Sequence, residues 1–137
     1  MPYQTIDHTA DLGISVQADS VEGLFAEAVR ALSELIFGSR PFTATREIQM
    51  TVTGCDWPDL MINWLREVLY LVNGDNLIPG PVAIRNIQAF TLEAAVPVDN
   101  APCDPHDMFN EIKAVTYHAI AVEKKAGGWQ ARIIFDI

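Results

Sequence analysis

The sequence finishes on Arg132, Ile133, Ile134, Phe135, Asp136 and Ile137, an alternating pattern that reads as a β-strand with no polar tail behind it. Such a strand is expected to be tied into a sheet, which holds the closing carboxylate in place. Asp136 and the α-carboxylate of Ile137 then make a fixed acidic pair. A third acid, Asp11, stands in the run His8, Thr9, Ala10, Asp11, Leu12, Gly13, Ile14, where another strand begins. If those two segments meet in one sheet, three oxygen ligands converge, and a hard divalent cation such as Mg²⁺ or Ca²⁺ is the expected occupant.

The 137 residues are expected to form one domain with its own core. Hydrophobic residues at 50% and charged ones at 20% exclude a disordered chain. No apolar run approaches the roughly 20 residues of a membrane helix. Met1, Pro2, Tyr3 and Gln4 carry neither the basic start nor the apolar stretch of a signal peptide, so a cytoplasmic protein is expected. Cys55 and Cys103 are too few for a disulfide framework or a thiolate zinc site and are expected to be reduced. A net charge of −9 repels phosphate and disfavours direct nucleic-acid binding. A basic protein partner or a cation held among acids fits that charge, and so does surface acid that only keeps the protein soluble.

The patterning predicts an α+β fold, a single compact domain with a mostly antiparallel or mixed β-sheet packed against two main α-helices. Leu12 to Ala18 reads as the first strand. Ser20 caps a helix from Val21 to about Phe37, stopped at Gly38. Glu47 to Thr53 alternates as a strand. Asp56 caps a second helix with Pro58 in its first turn, ended by Asn73, Gly74 and Asp75. Two strand-like stretches lie between Val82 and Val98, the second closed by Pro97. Asp99 to Asn110 is expected to be the most exposed loop. Glu111 to Glu123 and Trp129 to Ile137 are expected to pair as a hairpin around Ala126, Gly127 and Gly128.

Strand alternation puts Lys113 and Tyr117 on one face and Thr116 and His118 on the other. Lys113 is unusual in so apolar a segment. It is expected either to pair with the Asp11 and Asp136 acids or to guard an edge strand against aggregation. His118 reads as a structural histidine or a ligand, and His8 with Asp11 as a ligand pair or as turn residues satisfying backbone amides, with Thr9 and Gly13 expected to allow a tight bend that brings the two together. His106 with Asp104 and Asp107 is a weaker cation candidate in a loop. There is no Gly-rich phosphate loop, nucleophile elbow or HExxH motif, so a hydrolase acting alone is poorly supported.

Asp7, His8, Thr9, Ala10, Asp11, Leu12, Gly13 and Ile14, the helix opening Glu22, Gly23, Leu24, Phe25, and Trp64, Leu65 followed by Glu67 resemble the archease family. So do Ile112, Lys113, Ala114, Val115, Thr116, Tyr117, His118 and the closing Ile134, Phe135, Asp136, Ile137. The resemblance spans nearly the whole of 1–137 and implies an archease-like domain. It implies a non-enzymatic activator of the tRNA-splicing RNA ligase, which uses GTP to join an RNA 3′-phosphate or 2′,3′-cyclic phosphate end to a 5′-hydroxyl. Archeases promote guanylylation of that ligase and so sustain multiple turnover. The family's metal site maps onto Asp11, Asp136 and Ile137, with His8 and Lys113 as further functional candidates and Ca²⁺ or Mg²⁺ as the ion. The loop Cys103, Asp104, Pro105, His106, Asp107 follows the family pattern only loosely. The alternative is a binding module or chaperone that modulates another RNA-processing enzyme.

Overall fold

Ser20 and Asp56 begin the two helices where their side chains predict. The Ser20 hydroxyl accepts from the Gly23 amide at 3.0 Å, and the Asp56 carboxylate accepts from the Asp59 amide at 2.9 Å. The computed structural model describes residues 3–7, 11–102, 104 and 107–137. Its elements are β1 (Tyr3–Asp7), β2 (Asp11–Ala18), α1 (Val21–Phe37), β3 (Arg46–Thr53), α2 (Trp57–Asn73), β4 (Leu77–Pro79), β5 (Ala83–Gln88), β6 (Thr91–Asn100), β7 (Ala114–Lys125) and β8 (Gly128–Asp136). Gly38 ends α1 at φ 71°, a conformation that side-chain-bearing residues avoid.

The strands form two antiparallel sheets. One runs β1-β2-β8-β7; the other runs β3-β6-β4, with β5 also on β6. Each helix touches both sheets, α1 through β2, β8, β4 and β5 and α2 through β7, β3 and β4. The helices therefore carry apolar residues over a wide arc, and Leu24, Phe25, Leu32, Leu60, Met61, Trp64 and Leu65 are all fully buried. The Trp64 indole N–H donates to the Phe25 carbonyl at 2.9 Å, which fixes α2 against α1 while satisfying a buried polar group. No helix among the described residues is long and apolar enough to cross a membrane.

Four departures from the sequence reading have local causes. β1 and the short β4 were not anticipated, and both gain their order by pairing, β1 with β2 and β4 with β6. Pro97 does not close β6, which continues to Asn100. Its carbonyl accepts from Gly80 at 2.8 Å, so its missing N–H faces the gap where β5 has ended and β4 begins, a position that needs no donor. The far end of the 99–110 segment is anchored on α1, because the Phe109 amide donates to the Ile36 carbonyl at 2.7 Å and the Asn110 side chain to the Leu35 carbonyl at 2.6 Å. Finally, Gly13 lies inside β2 between Ile6 and Ile134 and is not part of a bend.

Candidate functional site

On β2 the side chains of Ile14 and Val16 enter the core, and on β8 those of Ala131, Ile133 and Phe135 do so. Alternation sends Asp11 and Asp136 to the opposite, outer face. The register sets Asp11 directly across from Asp136. Cβ atoms at such a pair lie about 4.5–5.5 Å apart, where two like charges repel. Among the described residues neither carboxylate forms a hydrogen bond or an ion pair with another side chain. Asp11 is half-buried and Asp136 exposed.

The strand end that carries Asp136 is pinned from two sides. Asp11 pairs with it on one side and Ala114 on the other, and the Lys113 amide donates to the Asp136 carbonyl at 2.7 Å. Ile137 follows immediately and is exposed. The donor set is therefore hard and anionic, the kind that suits Mg²⁺ or Ca²⁺. Among the described residues no group of three His, Cys, Asp or Glu side chains gathers at metal-binding distance.

The β2–β8 register sets Asp11 across from Asp136, with Ile137 the next residue in the chain, but does not bring the Lys113 ammonium to them. Lys113 precedes Ala114, the residue in the Asp136 row, so alternation turns its side chain to the helix side. There it lines a depression with Arg66, Leu69, Tyr70 and Asn73 of α2. Among the described residues it forms no ion pair, and the expected pairing with Asp11 and Asp136 is not made. Its position at the start of β7, an edge strand, fits the other expectation. His8 and His106 lie outside the described residues, as does Cys103. Asp104 and Asp107 belong to one turn, the Asp107 amide donating to the Asp104 carbonyl at 3.0 Å.

Tyr117 and His118 lie in a break in the β7–β8 ladder that the sequence did not reveal. Thr116 pairs with Ile134 and Ala121 with Arg132, so residues 117–120 of β7 face Ile133 alone. Ala119 adopts φ 53° to make the bulge. The extra residues invert the alternation, which is why Val115 and Val122 both reach the core. His118 is exposed at this bulge.

Tyr117 is directed at α2, where a polar network joins residues not singled out from the sequence. Its hydroxyl donates to Asp59 Oδ1 at 2.8 Å, and the Arg66 guanidinium lies 5.1 Å above its ring. The other Asp59 oxygen accepts from the Cys55 amide at 2.8 Å and from Asn63 at 3.4 Å. The Cys55 amide, then the Tyr117 hydroxyl, hold the Asp59 carboxyl below its ordinary range, while the Asp59 charge pushes the Cys55 thiol up. An activated thiolate is thereby disfavoured at Cys55. The signal was present as Asp59, Asn63 and Arg66 at helical spacing, one polar stripe along α2.

The archease protein family model matches residues 3–137. Protein archease of Methanosarcina mazei is 30% identical over 139 residues, covering 98% of this chain and 95% of that protein. The protein archease of Thermoplasma volcanium is 32% identical over 137 residues, with 100% of both chains covered. The solution structure of Methanobacterium thermoautotrophicum protein 1598 shares the fold, with a TM-score of 0.76, 24% identity and 99% of each chain covered. Together with the paired acids that the opposed β2 and β8 strands present, these matches place the chain: it belongs to the archease family.

Proposed function

We propose that this protein is a cytoplasmic, non-catalytic accessory factor in tRNA processing that activates the GTP-dependent tRNA-splicing RNA ligase, promoting its guanylylation and so its multiple turnover. Family membership supports the reading. The observation that carries it is the Asp11 and Asp136 pair on the outer face of the sheet, for which no cationic partner stands among the described residues. These two carboxylates and the carboxylate of Ile137 would hold a divalent cation, Mg²⁺ or Ca²⁺. Bound there, such an ion would supply positive charge against a nucleotide triphosphate at the ligase's guanylylation site. The chain's own contribution is placement. The β2–β8 ladder sets the two acids opposite each other, and the Lys113 amide holds the carbonyl of Asp136. The acidic surface complements a basic partner.

The test is multiple-turnover RNA ligation with the cognate ligase and GTP. It compares the native chain, Asp11→Ala, Asp136→Ala, and the chain extended by a few residues after Ile137. Both substitutions are expected to abolish stimulation while the circular dichroism spectrum stays native, and the extension is expected to weaken it. Full stimulation by either alanine variant would sink the metal-site reading. Failure of the native chain to stimulate an active ligase would instead favour a binding module for another RNA-processing enzyme.

A further inference from the structure

Two of the nine cationic residues of this acidic chain, Arg66 and Lys113, line a single depression of about 380 Å³ between α2 and the start of β7. Both are exposed, and among the described residues neither belongs to an ion pair. Arg66 is oriented without being neutralised by contact, since its guanidinium rests over the Tyr117 ring. Asp59 acts on it at longer range, but its oxygens are occupied by Cys55, Tyr117 and Asn63. Asn73, on the same wall, is committed to the Ile112 carbonyl at 2.9 Å. The charged groups left open to a ligand are therefore two cations. On the rim beside them stands Tyr70, a large aromatic residue left 63% exposed on the solvent-facing side of α2.

We infer that this depression binds a nucleotide by its phosphate, with Arg66 and Lys113 taking the phosphate oxygens and the Tyr70 ring stacking on the base. A planar guanidinium and a point-charge ammonium together suit the tetrahedral phosphate dianion. An exposed tyrosine face is a stacking platform for any base. A carboxylate ligand would engage the cations but leave that ring unused. The net charge of −9 opposes a long polyanion running over the rest of the surface, so the ligand is a free mononucleotide or the nucleotide at the end of a strand. The site lies on the helix side of the sheet, on the face opposite to the Asp11 and Asp136 side chains, and does not depend on the ligase reading.

Amide chemical shifts of the whole protein would be followed on titration with GMP, guanosine, inorganic phosphate and a trinucleotide RNA bearing a 3′-phosphate. GMP is expected to shift the amides of Arg66, Tyr70 and Lys113, and guanosine is not. Arg66→Gln should weaken GMP binding by about tenfold or more, the scale of one charge-assisted hydrogen bond. Tyr70→Ala should weaken binding of GMP but not of inorganic phosphate, which separates stacking from charge. Both side chains are exposed, so the rest of the amide spectrum should stay native. Shifts with the trinucleotide but not GMP would assign the strand end as the source of the phosphate, and shifts with GMP would assign the free nucleotide as sufficient. No shift of these amides with either, an equal response to guanosine and GMP, or unchanged GMP affinity in Arg66→Gln would overturn the inference.

Discussion

A single tyrosine ties the edge strand β1 to the helix layer. The Tyr3 hydroxyl donates to Glu34, and its ring lies 5.6 Å from the Arg30 guanidinium, which in turn bridges Glu27 and Glu34. Burial, then the hydrogen bond to Glu34, push the Tyr3 pKa from 10.0 up to about 12. The folded state thus favours the protonated phenol. Its stabilising contribution is complete below pH 10.0, the unfolded value, and is lost as the pH rises toward about 12. Denaturant unfolding of the native chain should therefore show a fall in stability across that window. Tyr3→Phe, which has no proton to lose there, should show a smaller fall. Equal pH dependence in the two chains would remove Tyr3 from the account.

At the scale of elements, the β5–β6 hairpin carries strain that its sequence does not relieve. Its two turn residues, Ala89 and Phe90, have φ values of 51° and 57°, a conformation that Asn-Gly or Asp-Gly turns adopt readily and that a Cβ disfavours by about 1–2 kcal/mol. Phe90 has a compensating role, since its ring meets Trp57 edge-on at 5.0 Å and its carbonyl accepts from Gly54. Ala89 has no such role, so Ala89→Gly is expected to raise stability by about 1 kcal/mol, read as a higher denaturation midpoint. The same element illustrates what was legible in the sequence. Both helices were readable because caps and apolar stripes are local signals, and the meeting of Asp11 with Asp136 could be expected from two strand patterns. β1 and β4 were not, since five and three residues hold their shape only through partners distant in sequence. The side to which Lys113 turns depends on register, and the bulge at residues 117–120 has no periodicity to betray it.

On the scale of the whole molecule, β8 is the strand on which the first sheet depends. It lies between β2 and β7, so it joins a segment near the start of the chain to one near its end. Phe135 is at the centre of that junction, with Leu12 across from it on β2 and Val115 on β7, and it is fully buried. Phe135→Ala would remove packing from both ladders and leave a cavity in the core, at an expected cost of about 3–5 kcal/mol. A domain of this size has roughly 5–15 kcal/mol in all, so the variant should be marginal and its denaturation midpoint strongly lowered. One position beyond β8, Ile137 is 44% exposed and outside the ladder. A few residues added after it should leave the midpoint where it is. That contrast gives the ligation test its control: a chain extended at Ile137 that keeps its stability but loses stimulation has been altered at its end and not in its fold, whereas one whose midpoint falls with Phe135→Ala has lost the sheet that presents Asp11 and Asp136.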